Sequence, residues 1–124
     1  MDRLLSGRRV LVVEDEMLVV MMIEDMLADL GCKSVTSAAT VDKALALINA
    51  QIFDVALLDV NLNGNDSHPV AEMLSARGVP FVYATGNTGQ GVREGYSDRP
   101  VLKKPFKYEE LVAVLTRLKL APIE

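Results

Sequence analysis

The chain has 124 residues, which fits one domain large enough to bury a hydrophobic core without disulfides or metal ions. Half of the residues are apolar, 5% are aromatic and the formal net charge is −4. This composition favours an aliphatic core and disfavours a nucleic-acid-binding surface. The single cysteine, Cys32, excludes an internal disulfide and fits a reducing cytosol. Because no apolar run approaches the length of a membrane span or a signal sequence, we expect a soluble cytoplasmic protein with no membrane partner.

Short apolar runs alternate with stretches of helical periodicity. The runs are rich in β-branched residues, which is typical of buried parallel strands. Residues that favour helix ends flank the helical stretches, with Thr40 before the second and Asp66 or Ser67 before the third. The predicted strands are Val10–Val13, Ser34–Ser37, Asp54–Leu58, Pro80–Ala84 and Val101–Leu102. The predicted helices are Met17–Leu30, a helix from Thr40 to about Ala50, one between Ser67 and Gly78, and one from Tyr108 to about Leu120.

Strands that alternate with helices predict a parallel sheet with helices on both faces. Five such units fit an α/β, doubly wound domain, for which 2-1-3-4-5 is a common strand order. We assign residues 1–124 to one domain with a core over about 8–119. The fourth helix falls on Gly86–Asp98, which contains four glycines, and each glycine inside a helix costs about 1 kcal/mol relative to alanine. We therefore expect this helix to be short, frayed or mobile.

Acidic residues follow two strands that are neighbours in such a sheet. Glu14 and Asp15 follow the first strand and Asp59 follows the third, so three carboxylates converge on one edge. The fourth and fifth strands bring Thr85 and Lys104 to the same edge. Converging carboxylates repel unless a cation neutralises them, and an oxygen-rich site of this kind suits Mg²⁺. A hydroxyl and an ammonium group at the same point make the site suitable for phosphoryl chemistry with a carboxylate nucleophile.

Four motifs at these strand ends resemble the receiver domain of two-component response regulators. They are VLVVEDE at 10–16, DVALLD at 54–59, ATG at 84–86 and KPF at 104–106, and the resemblance extends from about Arg8 to about Lys119. It implies a flavodoxin-like fold and a single-domain response regulator. It also implies a histidine kinase or a histidine phosphotransfer protein as the partner that donates a phosphoryl group.

The resemblance assigns the metal-binding and phosphoacceptor roles. Asp59 is expected to accept the phosphoryl group. Asp15 and Asp59 are expected to bind Mg²⁺ directly, together with the backbone carbonyl oxygen of Asn61, and Glu14 is expected to hold a metal-bound water.

The resemblance also assigns the residues that contact the phosphoryl group. Thr85 is expected to hydrogen-bond the phosphoryl oxygens and Lys104 to pair with them, next to a cis Lys104–Pro105 peptide bond. We expect the chain to catalyse only its own phosphorylation and dephosphorylation, and not to be an enzyme acting on other substrates.

A narrower likeness links the chain to the FAT GUY subgroup of receivers, which is found mainly in alphaproteobacteria and is often paired with HWE-type kinases. The likeness rests on PFVYATG at 80–86 and RPVL at 99–102, although Tyr83 stands where the signature has Phe and Asn87 where an aromatic is usual.

Val101 occupies the position of the aromatic switch residue of most receivers. Tyr83 or the glycine-rich segment is therefore the candidate replacement for that switch.

The first helix carries more apolar residues than one core face requires. Its predicted core face consists of Val19, Met22, Ile23, Met26, Leu27 and Leu30. The surplus residues are Met17, Leu18, Val20 and Met21. Either the helix is buried all round or the surplus forms an exposed docking surface. Because receivers dock their phosphodonor through this helix, we favour docking near Met17, Val20 and Met21.

Two other functions fit parts of the pattern. A phosphatase of the haloacid-dehalogenase type would carry a second Asp two residues after its nucleophile, where this chain has Asn61. A degenerate receiver that acts as a phosphorylation-independent interaction module is the main alternative. Because no residues follow the last helix for an output domain, we expect the switch to act through an unknown downstream protein or as a phosphate relay or sink.

Overall fold

The computed structural model describes residues 4–62, 64–86, 99–118 and 120. Every strand and helix predicted within these ranges is present, with ends that differ from the predicted ones by a few residues. The predicted fourth helix lies outside the described residues except for Gly86. The observed elements are β1 Arg9–Val13, α1 Met17–Asp29, β2 Ser34–Ala38, α2 Val41–Ala50, β3 Val55–Asp59, β4 Asn61–Leu62, β5 Asn65–Asp66, α3 His68–Ala76, β6 Phe81–Thr85, β7 Val101–Lys103 and α4 Tyr108–Arg117.

Five parallel strands form the sheet in the order β2-β1-β3-β6-β7. When these five strands are numbered one to five along the chain, leaving out the hairpin strands β4 and β5, they have the predicted order 2-1-3-4-5 of a doubly wound sheet. Side chains from α1 and α4 belong to one apolar cluster, and side chains from α2 and α3 belong to the other. The sheet is therefore covered on both faces, as predicted. The amino and carboxyl ends of its strands, which form the two remaining edges of the sheet, are available for polar groups.

The first strand shows why the predicted strands are continuous apolar runs. Val10 and Val12 pack in the cluster with α1 and α4, whereas Leu11 and Val13 pack in the cluster with α2 and α3. Successive side chains of a strand point to opposite faces, so a strand covered on both faces must be apolar at every position. The strand becomes acidic only where it leaves the sheet, at Glu14.

Two features lie outside the predicted elements. The region after β3 forms a small antiparallel hairpin of β4 and β5, with Gly64 at a φ of 86° in its turn. Strands of two residues are too short to show a period in the sequence. Leu5 precedes the predicted core, yet it is fully buried, and its amide donates a hydrogen bond to the Leu30 carbonyl at 3.1 Å.

The helix α1 has one buried stripe, which corrects part of the docking prediction. Val20 is only 7% exposed and lies in phase with the buried Ile23, Leu27 and Leu30. The prediction that Val20 belongs to an exposed surface is therefore wrong, because the spacing of three, four and three residues places it on the core side. The surplus residues that are exposed are Met17, Leu18 and Met21, at 71%, 81% and 52%.

None of the helices in the described part of the chain could span a bilayer, and α1 has only 13 residues.

The buried stripe of α1 predicts a sharp contrast between two leucines of this helix. Leu27 is fully buried and Leu18 is 81% exposed. We expect Leu27→Ala to lower the free energy of unfolding by about 2–5 kcal/mol, because it leaves a cavity. The matched Leu18→Ala should change it by less than about 0.5 kcal/mol. Urea unfolding of both variants checks this, and equal losses would contradict the assigned phase of the helix.

Candidate functional site

The carboxyl ends of four sheet strands meet at one edge and carry the predicted site residues. Glu14 and Asp15 follow β1, whereas Asp59 and Thr85 are the last residues of β3 and β6. Lys104 follows β7, and its amide donates a hydrogen bond to the Thr85 carbonyl at 2.7 Å. This bond ties the ends of β6 and β7 together and fixes where the lysine side chain begins.

Three carboxylates form a compact cluster at this edge. One oxygen from each of Glu14, Asp15 and Asp59 lies within 4.8 Å of the others. Glu14 is 2% exposed and Asp59 is 7% exposed, whereas Asp15 is half-buried. Buried carboxylates this close repel one another, so the fold must neutralise them locally.

The Lys104 ammonium group supplies that neutralisation within the described part of the chain. Its Nζ lies 2.8 Å from Glu14 Oε1 and 3.1 Å from Asp59 Oδ2. The exposed Glu16, which the sequence analysis did not single out, lies 3.9 Å from the same nitrogen. The Lys104–Pro105 peptide bond is cis, as the resemblance to receivers implies.

Burial and charge act in opposite directions on the pKa values of this ion pair. Burial raises the pKa of Glu14, and the negative charge of Asp59 raises it further, although the hydrogen bond from Lys104 partly offsets both. Burial alone would lower the pKa of Lys104, but its hydrogen bonds to Glu14 and Asp59 outweigh this effect and the pKa is raised. The lysine is therefore firmly protonated where it contacts the two carboxylates.

Backbone amides orient the same carboxylates. The Asn61 amide donates to Asp59 Oδ1 at 3.3 Å, and the Glu16 amide donates to Glu14 Oε2 at 3.2 Å. The side-chain Oδ1 of Asn61 is used elsewhere, since it accepts the Gly64 amide at 2.7 Å. These bonds help to fix the orientation of the Asp59 and Glu14 carboxylates.

A cleft of about 770 Å³ opens over the site. Five of the six predicted site residues line it, namely Asp15, Asp59, Asn61, Thr85 and Lys104. Glu14 contacts Lys104 but is not part of the lining. On the other side the cleft is bordered by Leu18, Val19 and Met22 of α1. The acidic site therefore opens beside the exposed apolar end of that helix.

The donor set of this site fits a hard divalent cation. Three carboxylates offer oxygen atoms from one small region, and Mg²⁺ prefers oxygen ligands of which one or two are protein carboxylates. The lysine beside them can neutralise an anionic ligand bound at the same point. The site thus combines the groups that phosphoryl chemistry requires.

A doubly wound sheet that gathers acidic residues and a lysine at its carboxyl edge is the arrangement found in receiver domains. The chain belongs to the response regulator receiver domain family, which matches residues 10–116. This membership confirms the predicted family and places the chain in two-component signalling, where receiver domains interact with histidine kinases or phosphotransfer proteins.

Individual relatives agree with this assignment. The solution structure of SdrG from Sphingomonas melonis Fr1 is 44% identical to this chain, covers 94% of it and 97% of SdrG, and has a TM-score of 0.80. A BeF₃-activated conformation of SdrG is also known, with a TM-score of 0.76. The receiver domain of the sensor histidine kinase PA1611 from Pseudomonas aeruginosa has a magnesium ion coordinated in its active site cleft. It is 34% identical, with 90% of this chain and 97% of that domain covered and a TM-score of 0.77.

Curated relatives are longer than this chain. The transcriptional regulatory protein PdtaR of Mycobacterium tuberculosis is 30% identical over 112 residues, which cover 87% of this chain and 55% of PdtaR. The chain spans about half the length, or less, of the curated relatives it matches. The likeness to SdrG agrees with the predicted FAT GUY subgroup.

Val101 stands where most receivers have an aromatic switch residue, and Tyr83 packs in this region. Val101 is paired in register with Tyr83, which is 3% exposed and packs edge-on against Phe81 at 5.3 Å between ring centroids. Tyr83 thus places an aromatic side chain one strand away from the usual position. The glycine-rich alternative lies in residues 87–98, outside the described part of the chain.

The ion pair predicts that substitutions of two adjacent lysines will change the free energy of unfolding by different amounts. Lys104→Met leaves Glu14 and Asp59 without their cation and should lower the free energy of unfolding by about 3 kcal/mol in EDTA. The matched Lys103→Met removes an exposed lysine and should have an effect below about 0.5 kcal/mol. Urea unfolding measures both values. Equal stability of the two variants would show that the buried carboxylates do not depend on Lys104.

Proposed function

We propose that this chain is a phosphorylation switch that accepts a phosphoryl group on Asp59 from a histidine kinase or a histidine phosphotransfer protein. The observation that carries the proposal is the setting of the Asp59 carboxylate. It faces a cleft, has Lys104 Nζ at 3.1 Å and lies within 4.8 Å of two further carboxylates. A structural salt bridge alone would not require two more acids beside the pair.

In the proposed reaction an Asp59 oxygen forms a bond to phosphorus while the bond from phosphorus to the donor histidine nitrogen breaks. The electron pair of that bond stays on the imidazole, which then takes up a proton. Lys104 pairs with the phosphoryl oxygens and the Thr85 hydroxyl donates a hydrogen bond to them. Both residues line the same cleft as Asp59, which supports these roles.

Residues of the acidic cluster are proposed to hold Mg²⁺. Asp15 and Asp59 would bind the ion directly with the backbone carbonyl oxygen of Asn61, and Glu14 would bind it through a water molecule. When bound, the ion neutralises charge that develops on the transferring phosphoryl group. The close approach of the three carboxylate oxygens supports this assignment, as does the magnesium ion in the PA1611 receiver domain.

The proposed output is a change of protein–protein contacts in the cytoplasm. The chain would catalyse only its own phosphorylation and dephosphorylation and would pass the signal to a downstream protein. A phosphoryl group carries roughly two negative charges at pH 7 and replaces the single charge of the Asp59 carboxylate, so the site gains about one negative charge. This charge would draw Lys104 away from Glu14, and we propose that the buried Tyr83 responds in place of the missing switch aromatic.

The decisive experiment is acyl phosphate formation with acetyl phosphate, followed by intact mass. We expect one phosphoryl adduct in the presence of Mg²⁺, no adduct in EDTA and none in Asp59→Asn. Asp66→Asn is the matched control, because Asp66 is exposed and outside the acidic cluster, and it should react like the native chain. A folded native chain that takes up no phosphoryl group would instead favour an interaction module that works without phosphorylation.

The exposed apolar end of α1 is proposed to dock the phosphodonor. Met17, Leu18 and Met21 are exposed, and Leu18 also lines the cleft above Asp59. Flexible apolar side chains suit binding surfaces that must accept a partner helix. A histidine docked there would lie close to the acceptor carboxylate. The proposed donor is a kinase of the HWE type, by analogy with the subgroup.

Docking through α1 predicts a selective kinetic defect. For a histidine kinase that phosphorylates the native chain, Met21→Lys should slow phosphoryl transfer about tenfold. This corresponds to about 1.4 kcal/mol of lost binding free energy. Its reaction with acetyl phosphate should be unchanged, because the site itself is intact. Ile52→Lys is the matched control, since Ile52 is 70% exposed but lies away from the cleft. Equal kinase rates in the two variants would place the docking surface elsewhere.

A further inference from the structure

A second cleft, of about 620 Å³, lies at the opposite edge of the sheet. It is lined by residues that precede the strands, among them Arg8 before β1, Asp54 before β3 and Arg99 before β7. We propose that this amino-edge cleft is a binding site for a small amphipathic anion, with an apolar body and a carboxylate or phosphate head. This site is separate from the phosphorylation site and does not depend on the function proposed for it.

The charge of the amino-edge cleft is the first argument. Arg8, Arg77 and Arg99 all line it, on a chain whose formal net charge is −4. The acidic lining residue Asp54 is already engaged, since its Oδ2 accepts the Arg9 amide at 2.7 Å and lies 3.6 Å from Arg9 Nε. A concave surface with an excess of one charge attracts ligands of the opposite charge. The expected ligand head is therefore anionic.

The arginine side chains are held in place, which is the second argument. Arg77 donates from Nη1 to the Ile48 carbonyl at 3.1 Å and from Nη2 to the Asn49 side chain. The Arg99 guanidinium lies 4.6 Å from the centroid of the Phe81 ring and contacts Ser75 Oγ at 3.4 Å. A guanidinium fork that is ordered before binding loses less entropy on meeting a carboxylate or phosphate.

The apolar part of the lining is the third argument. Ile48, Phe53 and Val79 contribute to the wall, and Ile52 lies at the rim with 70% of its surface exposed. The hydrogen bond from Arg77 also caps α2, but this structural role explains neither the exposed isoleucine nor the concave shape. The volume falls in the range of about 300–1,000 Å³ that is usual for small-molecule sites. Apolar contact beside fixed guanidinium groups matches a small amphipathic anion.

The first test is a titration followed by amide chemical shifts in NMR spectra of the full chain. The probes are phenylbutyrate and phenyl phosphate, with phenylbutanol and inorganic phosphate as controls that lack the charge or the apolar body. We expect saturable shifts around Gln51 and Ser75–Val79 for at least one anionic probe, and about tenfold weaker binding of both controls. Tighter binding of phenyl phosphate would indicate a phosphate ester head, and tighter binding of phenylbutyrate a carboxylate head.

Variants of the lining residues separate the charged contribution to binding from the apolar one. Arg77→Gln and Ile52→Ser should each weaken binding of the tighter-binding probe by about tenfold. Lys33→Gln is the matched control, because it removes a positive charge next to the start of β2 at the same edge, and it should leave the affinity unchanged. Lys33 is exposed and does not line this cleft, and Ile52 is exposed as well, so those two variants should fold. A dispersed amide spectrum like that of the native chain checks the fold of each variant. The proposal would be overturned if phenylbutanol bound as tightly as the anionic probes. Chemical shift changes confined to α1, or a lack of saturation with both anions, would also overturn it.

Discussion

Lys104 is the residue on which the acidic edge of this protein depends. Its Nζ lies within 3.1 Å of oxygens from both Glu14 and Asp59, two carboxylates that are almost completely buried. Without a nearby cation, burial and mutual repulsion would favour protonation of these acids and weaken the fold. The three residues come from the ends of β1, β3 and β7, so the ion pairs form only when the whole sheet is assembled. The site is therefore a product of the sheet topology and not of any local segment.

The same topology explains how a mostly apolar chain can hold so much charge at one place. The central strands are covered on both faces and are apolar along their length, which leaves the two strand edges for polar groups. The carboxyl edge collects the acids, and the amino edge collects Arg8, Arg77 and Arg99. Opposite charges thus concentrate at opposite ends of one rigid sheet, and each end has its own cleft.

Much of the fold and the site could be predicted from the sequence because both depend on strand ends. Apolar runs located the strands, acids directly after the first and third runs located Glu14 and Asp59, and the resemblance to receivers singled out Lys104 near the end of the fifth run. The error at Val20 arose because α1 is apolar on more than one side, so its sequence alone does not fix which stripe faces the core. The hairpin after β3 was too short to show a period. The amino-edge cleft joins residues that are far apart in the chain, and no motif marks it.

The contacts of Lys104 also suggest how the carboxyl edge can have two states. In the structure the ammonium group binds Glu14 and Asp59, and its backbone amide is bonded to the Thr85 carbonyl. A ligand shifts such an equilibrium only by its difference in affinity for the two states. A phosphoryl group on Asp59 would compete with Glu14 for the lysine, while the backbone bond would keep β6 and β7 together. Movement of the lysine would then be transmitted to Thr85 and along β6 to Tyr83, which is buried and paired in register with Val101 on the neighbouring strand. The absence of an aromatic at Val101 is consistent with a switch that works from within the sheet.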